Sequence, residues 1–261
     1  MRIVKDRNGR TTIAAVLAAA MVLSAVLAGC APGEKDPARK VLAGAVKAMG
    51  GRDLATGWKT RVEKGTMISV WPGWGTLQAE CSQYAMKPDK LLLDQDFSAN
   101  DHPFYFVYTL NGDQAWQEVN LGIRQNQRTT DMLLKRMKEI DGIPWFLDNS
   151  DSIYIETDVP DDSLMTGSEI TRVACITGTD TVMFDISKQT SLPLRKIEHT
   201  QNGRTHLLME DYRKTGKRTL PFQLRQFQDG RLTNEYLWES IEFDVEIDPA
   251  IFEKNRPAAG E

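Results

Sequence analysis

The spacing of apolar residues predicts an amphipathic helix over residues 36–49. Asp36 suits the N-cap and Pro37 the first helical position. Gly50-Gly51 ends the pattern. The apolar residues recur every three or four positions and therefore share one helix face: Ala38, Val41, Leu42, Ala45, Val46 and Met49. This stripe predicts packing on a core, and a role in covering a ligand is left open.

Between about residue 57 and residue 248, short runs of alternating apolar and polar residues predict about ten to twelve strands. Turn dipeptides separate these runs: Pro72-Gly73, Pro88-Asp89, Asn111-Gly112, Asn202-Gly203 and Asp229-Gly230. No internal repeat and no low-complexity linker interrupts the region. The pattern therefore predicts one domain, built on a large antiparallel meander.

Three of these dipeptides suit two-residue hairpin loops and so predict strand registers. The predicted cross-strand pairs are Val107–Trp116, Phe104–Val119, Arg195–Glu210, Ile197–Leu208, His199–His206, Phe222–Leu237 and Phe227–Leu232. The three pairs around Asn202-Gly203 are chemically matched and lie on one face, which supports that register.

The last strand is predicted to have one apolar and one wet face. The apolar side carries Leu237, Ile241, Phe243, Val245 and Ile247, with Glu239 as an exception. The other side carries Glu242, Asp244 and Glu246.

One helical segment interrupts the strands near residue 130. Thr129 or Thr130 can cap it, and Gly142-Ile143-Pro144 ends it. Its apolar face carries Leu133, Leu134, Met137 and Ile140. The apolar trio 145–147 follows, before a polar loop at 148–151.

Composition adds limits on function. The 261 residues have a net charge of -4, with 41% apolar and 26% charged residues, which indicates a packed core. Proteins that bind nucleic acid usually carry a basic surface, so the mild acidity argues against a nucleic-acid partner.

The first 29 residues have the organisation of an export signal. Arg2, Lys5, Arg7 and Arg10 form a basic start, and no charged residue occurs over residues 11–33. Removing the four basic residues and one acidic residue of this segment leaves 28 Lys+Arg and 35 Asp+Glu. The remaining 232 residues then carry a net charge of -7.

The segment ends in Leu27-Ala28-Gly29-Cys30, which resembles the lipobox of bacterial lipoproteins. The resemblance implies that Cys30 receives a diacylglyceryl group and becomes the first residue of the mature chain. Residue 31 is Ala and not Asp, so the enteric sorting rule gives no signal for inner-membrane retention. We therefore expect a lipid-anchored protein of the bacterial envelope, facing the periplasm and at the outer membrane. The alternative is a single, weak transmembrane anchor, because the uncharged stretch approaches the ~20 residues of a membrane span.

The predicted organisation has four parts. These are a signal peptide at 1–29, a lipidated tether at 30–35, one folded domain at 36–254 and a C-terminal tail at 255–261.

Two cysteines remain once Cys30 carries lipid. Cys81 and Cys175 form a candidate disulfide, because exported proteins fold in an oxidising compartment. The alternative is two separate buried thiols, and the sequence alone does not decide between them.

No specific catalytic motif occurs. The sequence contains no Gly-x-Ser-x-Gly, no His-Glu-x-x-His and no phosphate-binding glycine loop, so we expect no enzyme activity and no cofactor. His199 and His206 could meet across a hairpin, but two ligands are too few for a stable metal site, and a polar pair is the preferred interpretation. His102 lies in a loop where no partner can be named. The acidic clusters at 148–151 and 161–162 lack the spacing of a Ca²⁺ loop and indicate solvated turns.

Aromatic residues are the distinctive feature of the region. Residues 104–108 are apolar or aromatic at every position, which a strand in a half-wet sheet does not require. Trp71, Trp74, Trp116, Trp145 and Trp238 add further aromatic surface. Either the helices cover the second face of the sheet, or the sheet curls around a cavity.

Several segments together resemble the LolA/LolB-like superfamily of outer-membrane lipoprotein-sorting proteins, over most of residues 36–254. They are LAGAVKAMGG at 42–51, LPLRKIEH at 192–199, DYRK at 211–214, LPFQLR at 220–225 and DPAIF at 248–252. The resemblance implies an α+β, mainly β fold, with a single large curled antiparallel sheet, an incomplete β-barrel, covered by a few α-helices. It also implies a cavity that holds acyl chains. The chain departs from the soluble shuttle of that superfamily because it carries a predicted lipid anchor.

We therefore expect a tethered periplasmic carrier or acceptor that holds the acyl chains of a lipid or lipoprotein, without bond chemistry. Its expected partners are an acylated ligand, the membrane and other envelope proteins. The candidate cavity residues are Phe104, Phe106, Trp145, Ile197, Leu208, Ile241 and Phe243. The alternative is an envelope scaffold or sensor with a filled core, and a hydrolase ranks last.

Overall fold

The computed structural model describes residues 36–120, 122–157, 159, 163–165, 167–200 and 203–254. The described residues from Pro37 onward belong to one compact unit. The predicted signal peptide, the tether with Cys30 and the C-terminal tail lie outside the described residues. Among the described residues, no helix combines the length and the apolar character that a membrane crossing demands.

The dominant element is one antiparallel sheet of 13 strands, which confirms a mainly β fold and slightly exceeds the predicted strand count. The strands are β1 Thr60–Trp71, β2 Gly75–Met86, β3 Lys90–Asp96, β4 Tyr105–Asn111, β5 Gln114–Val119, β6 Gly122–Arg124, β7 Ser152–Glu156, β8 Ile170–Thr177, β9 Asp180–Ser187, β10 Pro193–Thr200, β11 Gly203–Thr215, β12 Arg218–Gln228 and β13 Arg231–Phe243.

The sheet consists of two meanders. Strands β1–β6 form one and β7–β13 form the other, each with sequential neighbours. The first strand, β1, pairs with the last strand, β13, and this pairing joins the meanders in the middle of the sheet. β6 and β7 are the two edge strands, so the sheet does not close into a barrel.

Within the described ranges, four helices accompany the sheet: α1 Pro37–Ala48, α2 Arg52–Thr56, α3 Gln127–Lys138 and α4 Ile143–Asn149. α1 and α2 precede the sheet, and α3 and α4 lie in the connection between the two meanders. The described residues also include short 3₁₀ turns at Ser163–Met165 and Pro249–Phe252.

The first helix confirms its sequence pattern. α1 begins at Pro37 and ends before Gly50, whose φ of 120° only glycine adopts readily. The buried residues of α1 are Ala38, Leu42, Ala45 and Val46, and Val41 and Met49 pack beside them. Together with α4, this face covers β7–β9, as the apolar stripe predicted.

The mid-chain helix starts earlier than predicted. The N-cap of α3 is Asn126, whose side chain accepts a hydrogen bond of 2.9 Å from the backbone N–H of Thr129. Thr129 and Thr130 therefore lie inside the helix, and their prediction as caps is wrong. Asn has the stronger N-cap preference because its short side chain reaches the free backbone N–H groups.

The sheet curls, with the helices on its inner face. On α3, Arg136 Nη2 donates to Gln83 Oε1 of β2 at 2.6 Å, and the neighbouring Glu139 accepts from Lys196 Nζ of β10 at 2.8 Å. Four strands lie between β2 and β10. In a flat sheet these two strands would stand about 24 Å apart at the usual spacing. Residues three positions apart on one helix reach both strands only because the sheet curves around the helix.

Two of the predicted hairpin registers are wrong by two residues. Asn111 pairs with Gln114, so Val107 faces Glu118 rather than Trp116, and Phe106 faces Val119. Asn111 stays in its strand because its side chain contacts Lys90 and donates to the backbone carbonyl of Phe252. The connection is formed by Gly112 and Asp113.

The second error lies between β10 and β11. Thr200 pairs with Gly203, which belongs to the strand rather than to the turn. A Cβ atom on Gly203 would lie 2.5 Å from the Asp229 carboxylate, so a glycine is needed here for close approach. The observed pairs are Arg195–Leu208, Ile197–His206 and His199–Arg204, in place of the three predicted pairs.

The third hairpin confirms Phe227–Leu232, but the register then shifts by one and Gln223 rather than Phe222 faces Leu237. A second irregularity in β13 explains why Glu239 broke the predicted alternation. Lys64 pairs with Ser240 and Gly65 pairs with Trp238, so Glu239 is the extra residue of a bulge. Trp238, not Leu237, therefore shares a face with Ile241. The strand ends at Phe243, so Val245 and Ile247 do not extend its apolar face.

Candidate functional site

The inner face carries an apolar trough between the two helix-covered regions. α1 and α4 cover β7–β9, and α3 covers β3–β5. The strand registers place the intervening apolar side chains on the same inner face, and all of them are only partly buried. The trough comprises Trp71, Phe104, Phe106, Tyr108, Leu207, Met209, Leu224 and Tyr236.

Stacked aromatic rings give the trough a continuous wall. The rings of Trp71 and Phe106 stack at 6.0 Å, and those of Phe106 and Tyr108 stack at 6.2 Å. Phe104 stacks at 4.6 Å on the buried Phe97. Aromatic pairs at these distances stabilise one another, so the wall is rigid and apolar while one side of it remains exposed.

Two tyrosines give the trough polar groups that stay neutral. Burial raises the pKa of Tyr108, and the neighbouring Tyr236 raises it further. Burial also raises the pKa of Tyr236. Both side chains are therefore uncharged phenols at neutral pH, and neither adds a charge to the apolar surface.

α3 is held over the inner face by apolar contacts on one side and polar contacts at its C-terminal half. Leu133 and Met137 pack on the apolar cluster of β2–β5. Lys135 Nζ lies 3.2 Å from Asp180 Oδ2, and Glu139 contacts Lys196. Burial lowers the pKa of Lys135, but the surrounding carboxylates outweigh it and raise the pKa overall.

A buried polar network lies beneath this helix. The Glu63 carboxylate accepts from Arg61 and, at 2.6 Å, from Gln83 Nε2, and Gln83 Oε1 accepts from Arg136 on α3. Glu63 and Gln83 are both buried. The network fixes the position of α3 on β1 and β2, because buried polar groups are costly without their partners.

The predicted cavity residues fall into three places. Phe104 and Phe106 lie in the trough. Ile241 and Phe243 lie on the same inner face, where Ile241 is buried and Phe243 packs edge-on to Trp58 at 6.3 Å. Trp145 lies on α4 and packs against Phe146, away from the trough.

Ile197 and Leu208 are corrections to the predicted site. Both are buried on the outer face, where Ile197 packs with Ala174 and Met183 and Leu208 lies opposite Arg195. Because side chains alternate between faces, their strands present Lys196, Leu207 and Met209 to the inner face instead. The predicted register correctly placed Ile197 and Leu208 on the same face of the sheet. The alternation of the strands does not show whether that face is the inner or the outer one.

The predicted disulfide is absent. Cys81 and Cys175 are free, buried thiols. Cys81 belongs to the cluster around Trp238 and Cys175 to the cluster beneath α1 and α4. Six strands separate β2 from β8 in the sheet order, whereas a disulfide requires Cα atoms within about 7 Å.

The histidines do not form a metal site. His206 lies opposite Ile197 and contacts Arg195, while His199 is exposed and pairs with Arg204. Over the described ranges, no group of three or more His, Cys, Asp or Glu residues could hold a metal ion.

The larger of two cavities in the described residues lies on the outer face. It has a volume of 280 Å³ between the strands and the segment after β13, and its lining includes Val62, Lys64, Tyr84 and Ile247. The other, of only 10 Å³, lies beside Arg136, Tyr236 and Trp238, so it encloses little space beside α3.

Most of the trough was missed by sequence reasoning. Leu207, Met209, Leu224 and Tyr236 lie in strands whose apolar residues occur on both faces, so their alternation does not distinguish the inner face. The sequence identifies Trp71 as additional aromatic surface but does not place it in the site. The one signal that pointed to the trough was the aromatic run at 104–108.

Solved structures with a similar fold exist for several bacterial proteins. No family model and no curated protein matches this sequence. A crystal structure of a DUF1329 family protein from Desulfovibrio piger is similar, with 15% identity, a TM-score of 0.55, and coverage of 84% of this chain and 98% of that one.

Two further crystal structures are similar. One is a putative outer membrane lipoprotein-sorting protein domain from Vibrio parahaemolyticus, with 12% identity and a TM-score of 0.53. The other is a LolA superfamily protein from Nitrosomonas europaea, with 8% identity and a TM-score of 0.52. Each match covers 83% of this chain and 97% of the other. The resemblance seen in the sequence is thereby confirmed at the level of the fold.

Proposed function

We propose that this chain is a lipid-anchored protein of the bacterial envelope that binds the acyl chain of a lipid or lipoprotein in the inner-face trough. The observation that carries the proposal is the row of partly buried apolar side chains between two helix-covered regions. A soluble domain rarely leaves a large apolar patch open unless the patch binds something. A LolA-like fold and a lipobox-like N-terminus support the same function.

The trough suits a chain rather than a compact ligand. Its aromatic wall runs along β4, and the small enclosed volume leaves room for a linear group only along the open surface. Each buried methylene contributes about 0.8 kcal/mol, so a long acyl chain gains affinity without any specific polar contact. Transfer then follows the difference in affinity between donor and acceptor, and no bond is made or broken.

Ligand binding is tested on the chain from residue 30 onward with Cys30→Ser, purified without detergent. We expect co-purified lipid in native mass spectrometry and saturable binding of a fluorescent fatty acid. Phe106→Ala should weaken this binding roughly fivefold or more, because it removes part of the trough wall.

A matched control lies one residue away. Tyr105 is also half-buried but faces outward and packs near Ile247, so Tyr105→Ala should leave the affinity unchanged. Absence of both lipid and probe binding would contradict the carrier function. Equal effects of the two substitutions would contradict the location of the site.

The anchor is tested separately in cells. Cys30→Ser should abolish retention of the protein in washed membranes, because a single diacylglyceryl-modified cysteine would be the anchor. Persistence of the variant in the washed membrane fraction would instead support a transmembrane N-terminal segment.

A second function is an envelope scaffold or sensor that acts through protein contacts. The observation in its favour is the small enclosed space on the inner face, where α3 packs directly on the sheet. If neither lipid nor probe binds, capture of a protein partner that depends on the same inner face becomes the expected activity.

A further inference from the structure

The hairpin between β1 and β2 exposes the most accessible large apolar side chain of the described residues. Trp74 is 60% exposed at the tip, and Val70 is 39% exposed beside it. The tip is a well-formed turn, in which the Trp74 backbone N–H donates to the Trp71 carbonyl at 3.1 Å. The indole also packs edge-on against the His102 ring at 6.0 Å, so the exposed side chain has a defined position.

The hairpin combines two exposed apolar side chains with a long uncharged stretch of sequence. No charged residue occurs over residues 65–79, which include the whole tip. Elsewhere, Ile123 is followed by Arg124 and Met132 is preceded by Asp131. A charged neighbour must be desolvated when an apolar side chain enters a membrane, and this costs free energy. An uncharged tip that carries a tryptophan can enter without that cost.

We propose that the tip at residues 70–75 docks into the interfacial layer of a lipid bilayer. Tryptophan is enriched at this depth because its ring is apolar and its N–H can meet a polar headgroup. The domain is also expected to stay near a membrane: if Cys30 carries lipid, the chain to Pro37 spans at most about 25 Å. This second point rests on the proposed function, whereas the exposure and the missing charge do not.

The hairpin also connects the docking surface to the trough. Trp71 closes the tip and is the first aromatic of the trough wall, where it stacks on Phe106. Its Nε1 donates to Ser69 Oγ at 2.7 Å, and Ser69 in turn donates to Asn234 of β13 at 2.8 Å. The base of the hairpin is thus fixed to the sheet, and an acyl chain that leaves the bilayer at the tip meets the trough directly.

The experiment is co-sedimentation of the Cys30→Ser chain from residue 30 onward with vesicles of phosphatidylethanolamine and phosphatidylglycerol. We expect weak, reversible binding, which the washing of cell membranes would remove. Trp74→Lys should lower the partition coefficient roughly tenfold, because it replaces the inserted ring with a charge.

Tyr154→Lys is the matched control, because Tyr154 is 45% exposed on the edge strand β7, far from the hairpin in the sheet order. It should bind vesicles like the parent chain, and thermal unfolding should show both variants folded. Vesicle binding that is absent, or unchanged in Trp74→Lys, overturns the docking proposal. Binding of a fluorescent fatty acid in solution is measured in parallel. If the parent chain binds no fatty acid, the carrier function is contradicted, whereas the docking proposal depends only on vesicle binding.

Discussion

At the scale of single residues, the outer face carries a buried, hydrogen-bonded group of three charged side chains, Arg172, Asp185 and Arg195. Asp185 and Arg195 are both 0% exposed, and the Asp185 carboxylate accepts from Arg172 Nε at 2.6 Å and from Arg195 Nε at 2.7 Å. The carboxylate lies between two guanidinium groups on adjacent strands. Removing its charge takes away the carboxylate that both buried guanidinium groups share, and Arg172 then keeps Glu156 at 3.9 Å.

Asp185→Asn is therefore expected to lower the free energy of unfolding by about 3–5 kcal/mol, measured by urea denaturation. Asp211→Asn is the control, because Asp211 pairs with Arg213 at the surface, where solvent screens an ion pair and its contribution to stability is small. Equal and small effects of the two substitutions would show that the buried group is not a stabilising unit.

The two buried thiols make a second residue-scale prediction. Burial raises the pKa of Cys81 to about 12 and that of Cys175 to about 11. The unfolded chain loses these protons at lower pH. The stability that depends on the protonated thiols is therefore complete below about pH 9 and falls as the pH rises towards the folded pKa values.

The test uses the chain from residue 31 onward and a thiol reagent at about pH 8. The reagent should react slowly with the folded protein, and it should react with two thiols per chain after unfolding. Cys81→Ser should leave one reactive thiol. Rapid reaction of the folded chain would contradict the burial, and no reaction after unfolding would indicate that the two cysteines are bonded.

At the scale of elements, the sequence predicted the helices and strands better than their alignment. α1 was correct to within a residue because its stripe, its proline and its glycines agree. The hairpin registers failed where a turn residue makes a contact with a distant segment. Asn111 contacts the segment after β13, and Gly203 makes room for Asp229. Such contacts join residues far apart in the chain, so no local pattern contains them.

The prediction of the candidate site was limited in the same way, because contacts between distant segments decide which residues face the trough. Phe104 and Phe106 were found because an aromatic run is visible in the sequence. Ile197 and Leu208 were misplaced because period-two alternation does not identify the inner face, which the helices determine. The bulge at Glu239 also places Trp238, and not Leu237, on the inner face. The only local sign of the bulge is the charged Glu239 at a position where the alternation predicts an apolar residue.

α3 is the element whose position should control access to the trough. Lys196 joins β10 to the end of α3 through Glu139. Lys196→Met removes this ion pair, together with the contacts of the same ammonium with Glu198 on its own strand and with the Phe146 ring. Uptake of a fluorescent fatty acid should become roughly fivefold faster, because a partly exposed ion pair contributes about 1 kcal/mol.

Lys138→Met is the control for this prediction, because Lys138 is exposed on the same helix. Stopped-flow fluorescence measures the uptake rate. Identical rates for the parent chain and both variants would show that α3 does not have to move.

At the scale of the whole molecule, the two meanders share one continuous sheet and are expected to unfold together. Leu133 of α3 is buried against the first meander, and Phe184 of β9 is buried beneath α4 in the second. Truncating either to alanine should lower the stability by about 2–5 kcal/mol.

Each variant should shift a single urea transition, with coincident curves from tryptophan fluorescence and circular dichroism. Two separate transitions, or a shift confined to one probe, would show that a meander can remain folded alone.

The pairing of β1 with β13 has a consequence for how the protein is made. The first strand finds its second neighbour only when the chain has been completed through residue 243. During synthesis the earlier segments can form local hairpins, but one edge of β1 stays unpaired until β13 has been made. The order of synthesis thus delays completion of the sheet to the end of the chain.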